Sequence, residues 1–383
     1  MNLPLHLTVA ACTLLFCQTS NEPITPVKKS VSNNPKIQVA ILLDVSNSMD
    51  GLIEQAKAQL WNMVSVMGRV TCEGVSPNIE IALYEYGRSS NPEAMGYIKQ
   101  VSSFTNDLDK LFHALQGLST NGGDEYCGYV INSSLDQLNW DTSAASYKTI
   151  FIAGNESFFQ GNISYTEACK KAKEKGVIVN TVYCGSKERG IAENWNLGAE
   201  CGNGSFTNID KDAKEESIPT PYDSTLFVLN EQLNLTYIYY GDDGHDKLQA
   251  MRQMDTVPQY DVKDINKIMA YVVVKSDKKL YNRSQWDLID AYEKDINIIQ
   301  KVSMKTLPDT LKNKTRNDLK KVVETKAAER SIIRKKIADL NIQRIGYISA
   351  EKSRLKIDDP LTLKSEIEKT IREQVKRFKM KVQ

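Results

Sequence analysis

The sequence predicts an α/β fold, a doubly wound and mainly parallel sheet of the Rossmann-like kind, followed by an α-helical C-terminal region. The segment Ile37–Leu43 is an apolar, β-branched run, typical of a strand that is buried on both faces. Segments with helical spacing then alternate with further short apolar runs as far as Ile209, which indicates βα units. Residues 284–383 instead carry long helical patterns that are rich in charge.

The elements of the sheet domain follow from the periodicity of apolar residues. Between Asp50 and Met67 such residues recur every three or four positions, which predicts a helix directly after the first strand. Two predicted strands, 79–86 and 98–104, are separated by too few residues for a helical crossover, so an antiparallel hairpin is expected. The further elements are predicted as helices over 106–115, 126–138, 165–174 and 191–200, and as strands over 148–153, 177–183 and 204–209.

The region beyond the sheet domain is predicted to be mostly helical. Two prolines in Ile218–Asp223 mark a boundary. Leu226–Tyr240 predicts a helix followed by an aromatic strand, and Ile268–Val274 predicts another strand. Capping boxes at Ser284–Asp287 and Thr315–Asp318 begin two helices, and a final helix carries the apolar stripe Leu363, Ile367, Ile371, Val375 and Phe378. We expect these helices to fold back on one another as an antiparallel bundle or coiled coil, with helix-mediated self-association as a further expectation.

The net charge of +1 conceals two oppositely charged regions. Residues 307–383 contain 21 Lys or Arg and 11 Asp or Glu, a net charge of about +10, so the remainder is about −9. The basic region has mixed charges on helices, without interleaved aromatic residues or a nucleic-acid-binding motif. We therefore expect solvated helix faces and no nucleic-acid partner.

The first residues resemble a targeting segment. Leu3–Phe16 has the length and apolarity of a signal-peptide core and is short for a membrane span. Cys17 lies where the apolar segment ends and a polar segment begins. In this position it resembles the lipidated cysteine of bacterial lipoproteins. Phe16 and the absence of a preceding Lys or Arg depart from that pattern, and Cys12 or a cytosolic N-terminal strand are the alternatives. The favoured interpretation is an exported, lipid-anchored or periplasmic protein of the bacterial cell envelope.

The predicted organisation has five parts. These are a signal peptide over 1–17, a linker over 18–35, the sheet domain over 36–215, a small mixed extension over 216–283 and a helical bundle or coiled-coil region over 284–383.

Export would place the other cysteines in an oxidising compartment. Five of them lie beyond the linker, at positions 72, 127, 169, 184 and 201. Cys184 ends a predicted strand and Cys201 lies across a helix from it, so the expected disulfide joins these two. The chain has three histidines and no C-x-x-C motif, which argues against a structural zinc site.

A candidate metal site follows the first strand. Asp44, Ser46 and Ser48 alternate along an extended loop, where their oxygen atoms can converge on one point. Such hard oxygen ligands suit Mg2+, with Mn2+ or Ca2+ as alternatives. The carboxyl end of a central parallel strand is also where open α/β sheets bind ligands. The competing interpretation is a turn in which the serines cap the next helix.

This D-x-S-x-S loop resembles the metal-ion-dependent adhesion site of von Willebrand factor type A (vWA) domains. The succession of elements from Lys36 to Asp210 is similar to theirs, although the resemblance covers less than half of the chain. It implies a threonine ligand in the loop after the third strand, for which Thr120 and Asp124 in the STNGGDE loop are the candidates.

The resemblance also implies an aspartate after the next strand. Gly154 stands there instead, within AGNE, which departs from the family pattern. Asn155 and Glu156 are candidates to contact the cation or its bound waters. The GGDE and AGNE segments together look like an uncharacterised bacterial subgroup of vWA proteins.

The expected function is binding and not catalysis. The sequence contains no G-x-S-x-G elbow, no P-loop and no G-x-G-x-x-G after a strand. A cation that is held by hydroxyls and few carboxylates keeps an open position for an acidic side chain of a protein partner. The alternative is a scaffold protein with a degenerate metal site that acts through its C-terminal helices.

Overall fold

A six-stranded sheet forms the centre of the sheet domain. The structure is a computed structural model that describes residues 35–209, 218–256, 265–281, 283–355 and 363–382. The predicted signal peptide, Cys17, nearly all of the linker and the end of the predicted sheet domain lie outside these ranges. The strands are β1 Lys36–Asp44, β2 Val70–Cys72, β3 Asn78–Tyr86, β4 Lys99–Thr105, β5 Tyr147–Gly154, β6 Ile178–Cys184, β7 Asn203–Ile209 and β8 Met380–Val382.

The large sheet has the order β4-β3-β1-β5-β6-β7. All neighbouring strands in it are parallel except β3 and β4, which pair antiparallel. The predicted mainly parallel sheet and its one hairpin are therefore confirmed. A separate two-stranded antiparallel sheet joins β2 to β8, and so joins the C-terminal end of the chain to the segment after the first helix.

Helices cover both faces of the large sheet. They are α1 Ile53–Gly68, α2 Leu108–Gln116, α3 Cys127–Gln137, α4 Tyr165–Lys175, α5 Lys187–Ala192 and α6 Trp195–Cys201. Alternate residues of β1 enter two separate cores: Ile41 and Leu43 pack on the α1 side, whereas Ala40 and Leu42 pack on the α3 side. Burial on both faces explains why this strand is apolar at nearly every position.

The C-terminal region is helical, including one segment for which the sequence predicts a strand. Its helices are α7 Asp223–Asn234, α8 Gly244–Thr256, α9 Ile265–Ser276, α10 Leu288–Lys294, α11 Ile298–Lys301, α12 Asp309–Lys312, α13 Arg316–Arg354 and α14 Leu363–Lys376. The predicted strand over Ile268–Val274 is wrong because this run lies within α9. Met269 and Val272 pack towards α7, while Tyr271 and Val274 pack towards α1. A helix buried on two sides is apolar all round, and periodicity alone does not distinguish it from a buried strand.

The prediction of an aromatic strand at the end of Leu226–Tyr240 is also wrong. Its residues form one isolated bridge, between Tyr239 and Asp287. The preceding residues Tyr237 and Ile238 are buried among helices, so packing between helices accounts for the apolar pattern there.

The final helix does not join α13 as the bundle prediction implied. Ile371 and Val375 of α14 are fully buried in the core on the α1 side of the sheet. Gln374 accepts a hydrogen bond from the Tyr147 hydroxyl at 2.8 Å and donates one to Asn180 at 2.7 Å. The end of the chain therefore completes the sheet domain. Within the described ranges, no helix combines the length and apolarity needed to cross a membrane.

Buried ion pairs hold the helical region together and attach it to the sheet domain. Arg330 of α13, which interrupts an apolar stripe in the sequence, is fully buried and donates to Asp287 and to Asp290. Arg283 donates two hydrogen bonds to the carboxylate of Asp109 in α2, from Nε at 3.0 Å and from Nη2 at 2.8 Å. Part of the basic charge of this region is thus internal, contrary to the expectation of solvated helix faces.

Candidate metal-binding site

The candidate site lies at the carboxyl end of β1, which has β3 on one side and β5 on the other. From β1 the chain continues towards one edge of the sheet, and from β5 it continues towards the other edge. The strand order therefore reverses between these two neighbouring strands. Open α/β sheets bind ligands in the crevice at such a point. The position predicted from the sequence is therefore the position that the topology favours.

Asp44, the last residue of β1, is fully buried at the floor of the site. Its Oδ1 atom accepts the backbone N–H of Ser46 at 2.8 Å. Its Oδ2 atom is buried and has no hydrogen-bond partner among the described residues. Burial raises the pKa of this carboxyl to about 7, although the hydrogen bonds from Ser46 and the nearby backbone N–H of Asn155 oppose that effect. A buried carboxylate oxygen without a partner fits a cation ligand, since it is otherwise unfavourable.

The two serines are held next to each other above Asp44. Their Oγ atoms lie 2.9 Å apart. Ser48 donates to Oδ1 of Asn155 at 2.7 Å, and Nδ2 of Asn155 donates to the backbone carbonyl of Ser48 at 2.8 Å. The structure therefore brings together four predicted residues, and Asn155 positions the serine loop from the end of β5.

Glu125 is a site residue that the sequence reasoning missed. It is 7% exposed, and a Cβ on Gly87 would lie 2.8 Å from Oδ1 of Asp44, 3.1 Å from Cγ of Glu125 and 3.3 Å from Cβ of Ser46. These three side chains thus surround one point of the backbone. Burial raises the pKa of Glu125 to about 8, with the charges of Asp44 and Glu156 adding to it and contact with Ser46 opposing it.

The two threonine-position candidates have other partners. Asp124 is exposed, and its Oδ2 accepts a hydrogen bond from the Tyr126 hydroxyl at 3.2 Å. Thr120 donates its hydroxyl hydrogen to Asp50. The carboxylate beside Asp44 is therefore that of Glu125, one residue after the aspartate that the spacing suggested. The local sequence carries no signal that distinguishes these two adjacent acidic residues, because only the packing beside Asp44 shows which of them is buried.

Tyr86 explains the departure at Gly154. A Cβ on Gly154 would collide with the Tyr86 hydroxyl and would lie 3.0 Å from Oδ2 of Asp44. The tyrosine donates its hydroxyl hydrogen to the carbonyl of Ala153 at 3.0 Å. Complete burial raises its pKa well above the ordinary value, so the hydroxyl is neutral. A neutral hydroxyl thus occupies the space where the family pattern has a carboxylate.

The set of oxygen atoms at the site suits a hard cation with few carboxylate ligands. Within the described residues, no group of three or more His, Cys, Asp or Glu side chains is arranged to hold a metal ion. What the residues provide is Asp44, Glu125 and the hydroxyls of Ser46 and Ser48, with Glu156 close enough to raise the pKa of both carboxyls. One or two carboxylates with hydroxyls and water is the pattern that Mg2+ prefers.

The predicted disulfide between Cys184 and Cys201 is wrong, since both are free thiols. Successive residues of a strand point to opposite faces of a sheet, and Cys184 points into the core on the α1 side. Cys201 ends α6, whose Trp195 packs in the core on the other side. The sheet itself therefore separates the two sulfur atoms.

The strand order, the single antiparallel edge strand and the D-x-S-x-S loop at the end of the central strand give the sheet domain a fold similar to that of vWA domains. No protein-family model and no curated protein matches the chain. The fold assignment rests on the topology and the loop described above.

Solved structures similar to this chain cover less than half of it. An aerotolerance-related membrane protein from Bacteroides fragilis is 18% identical, with a TM-score of 0.34 over 45% of this chain and 92% of that one. BatB from Bacteroides thetaiotaomicron is 18% identical, with a TM-score of 0.35 over 45% and 90%. The SpRpn10 VWA domain is 15% identical, with a TM-score of 0.36 over 47% and 90%.

Proposed function

We propose that the vWA domain binds a divalent cation, with Mg2+ favoured over Mn2+ and Ca2+, and through it an acidic side chain of a protein partner. The observation that carries the proposal is the buried Oδ2 atom of Asp44, which has no hydrogen-bond partner among the described residues. Asp44, Ser46, Ser48 and Glu125 are the residues that would hold the ion. When bound, the ion would supply an open coordination position that a carboxylate can fill.

The chain's own residues prepare this site in three ways. Burial disfavours the negative charge of the Asp44 carboxylate. A bound cation would relieve the energetic cost of burying that charge. Asn155 orients the Ser48 hydroxyl through hydrogen bonds in both directions. Tyr86 fills the place of a further carboxylate, which keeps the number of negative charges low. With two carboxylates and two hydroxyls as its proposed protein ligands, a hexacoordinate ion would keep coordination positions that a carboxylate of an acidic partner can fill.

Isothermal titration of the purified protein with Mg2+, Mn2+ and Ca2+ tests this proposal. We expect saturable binding that is lost in Asp44→Ala, while circular dichroism shows that the variant remains folded. The matched control is Asp124→Asn, because that exposed carboxylate bonds to Tyr126 and lies outside the proposed ligand set. Absence of saturable binding by the folded wild-type protein with all three ions would contradict the proposal.

A second candidate function is contact through the C-terminal helices, with a metal site that does not bind. One observation favours it: α13 exposes the large apolar side chains Ile332, Ile342 and Ile345, with exposed fractions of 57%, 69% and 52%. Exposed apolar groups on a long helix suit a protein partner or a second copy of the chain. Partner capture that survives both chelation and Asp44→Ala, but not Ile342→Ser with Ile345→Ser, would favour this candidate.

The proposed location is the bacterial cell envelope, with Cys17 as the lipid anchor. This proposal rests on the apolar segment Leu3–Phe16 and the polar linker that follows it. An anchored vWA domain would present its cation site to proteins of the same compartment.

A further inference from the structure

Cys169 and Cys201 lie against each other on one face of the sheet. Cys169 belongs to α4 and Cys201 is the last residue of α6, and these two helices are in contact. The thiol of Cys169 donates a weak hydrogen bond to the carbonyl of Gly198 at 3.7 Å, one helical turn before Cys201. Burial raises the pKa of Cys169, and the neighbouring Cys201 thiol adds to that effect.

Helices α4 and α6 lie close together, and the packing around α6 keeps them in this position. A Cβ on Gly198 would collide with the ring of Phe158, so the turn of α6 that leads to Cys201 packs directly against that ring. Trp195 at the other end of α6 is fully buried and donates to the carbonyl of Glu156 at 2.7 Å. The side chains of Cys169 and Cys201 are thus kept as neighbours by contacts at both ends of α6.

The two cysteines differ in access to solvent. Cys169 is fully buried, whereas Cys201 is partly exposed. An oxidant in solution therefore reaches Cys201 first, and Cys169 is the nearby thiol that can resolve the product. Cys127 and Cys184 are both buried elsewhere, and Cys184 lies on the opposite face of the sheet.

We propose that Cys169 and Cys201 are a redox-sensitive pair that forms a disulfide between α4 and α6. The oxidant class is a disulfide, either a small one such as oxidised glutathione or the active-site disulfide of a thiol oxidoreductase. The Cys201 thiolate attacks one sulfur of the oxidant, forms a mixed disulfide and releases one thiol. The Cys169 thiolate then attacks Sγ of Cys201 and releases the second thiol. The two protein thiols lose two protons and two electrons, and the oxidant disulfide is reduced to two thiols.

The test compares the reduced protein with protein treated with oxidised glutathione. We expect two thiols per chain to disappear, and a non-reducing peptide map to show Cys169 linked to Cys201. Because a disulfide restricts the unfolded chain, we expect the melting temperature to rise on oxidation, on the order of 5 °C. Cys201→Ser, at the more exposed position, should abolish both effects, and Cys169→Ser should leave a stable glutathione adduct on Cys201.

The matched control is Cys72→Ser, which removes another partly exposed cysteine and should leave the linkage and the rise in melting temperature intact. Three results would overturn the proposal. They are a persistent glutathione adduct on Cys201 of the wild-type protein with Cys169 still reduced, a link from Cys201 to a different cysteine, and no loss of thiols under oxidation.

Discussion

The hydroxyl of Tyr86 occupies the space into which a side chain at position 154 would project. It donates a hydrogen bond to the carbonyl of Ala153 at 3.0 Å, next to Gly154 itself. The tyrosine on β3 and the glycine on β5 are therefore complementary, although they are far apart in the sequence. The site therefore resembles the vWA pattern but has a neutral hydroxyl in the place of one carboxylate.

This complementarity predicts that restoring the family aspartate alone is harmful. We expect Gly154→Asp to lower the free energy of unfolding by about 2–4 kcal/mol, because it overpacks the site against Tyr86 and adds a charge beside Asp44. Adding Tyr86→Phe should recover part of that loss by removing the hydroxyl. Urea denaturation of the wild type, both single variants and the double variant measures the coupling. Equal stability of Gly154→Asp and the wild type would show that the space is not filled as described.

The position of Glu125 predicts which acidic residue of the GGDE segment supports cation binding. We expect Glu125→Gln to weaken Mg2+ affinity by about tenfold, because it removes one of the two carboxylates that lie together at the site. Asp124→Asn should leave the affinity within about twofold. Isothermal titration of the two variants under the same conditions provides the comparison. A larger loss of affinity in Asp124→Asn than in Glu125→Gln would instead support Asp124 as the ligand.

The raised carboxyl pKa values predict that pH changes the stability of the metal-free protein. Asp44 and Glu125 titrate at about 7 and about 8 in the folded chain, above their ordinary values of 3.8 and 4.5. Between the ordinary and the folded values the native state binds more protons than the unfolded state, so stability falls as the pH rises from about 5 to about 8. Melting temperatures in the presence of a chelator should therefore decrease over this interval.

Two comparisons test the cause of that decrease. Asp44→Asn should flatten the dependence, since an amide does not titrate. Excess Mg2+ should raise the melting temperature more at pH 8 than at pH 6, because protons compete with the ion for the same oxygen atoms. A melting temperature that rises with pH in the metal-free wild type would contradict the assignment.

The buried Arg330 predicts a large destabilisation when its charge is removed. Its guanidinium group contacts Asp287 and Asp290, and all three side chains are buried. We expect Arg330→Ala to lower the free energy of unfolding by about 3–5 kcal/mol, because buried Asp287 loses its cation and Asp290 keeps only Arg334, at 3.4 Å. The control on the same helix is Lys335→Ala, which breaks only an exposed pair with Asp339 and should change stability by less than about 0.5 kcal/mol. Similar effects of the two substitutions would argue against a buried network.

The proposed lipid anchor predicts how Cys17 affects the location of the protein. In a bacterial host, the wild-type protein should incorporate labelled palmitate and fractionate with membranes, since two or more acyl chains anchor a protein stably. Cys17→Ser should abolish labelling and release the protein from the membrane fraction. Cys12→Ser serves as the matched control and tests the alternative cleavage position. Labelling that persists in Cys17→Ser but not in Cys12→Ser would move the anchor to Cys12.

Those parts of the fold and site that depend on local pattern can be predicted from the sequence. The parallel sheet follows from short apolar runs that alternate with helical spacing, and β1 is recognisable because burial on both faces leaves no polar position between Val39 and Leu43. Asp44, Ser46 and Ser48 were predicted together because they lie on one loop directly after that strand. Local spacing is sufficient where the residues of a site are close in the chain.

Features that depend on neighbours distant in sequence could not be predicted in this way and are visible in the folded protein. Glu125 is buried beside Asp44 and Gly87, whereas the adjacent Asp124 is exposed. Arg330 belongs to the region for which solvated helix faces are expected, yet it is buried because Asp287, the N-cap of α10, accepts hydrogen bonds from it. In both cases the decisive partner lies far along the chain. Such a contact leaves no periodicity or spacing in the local sequence from which it could be inferred.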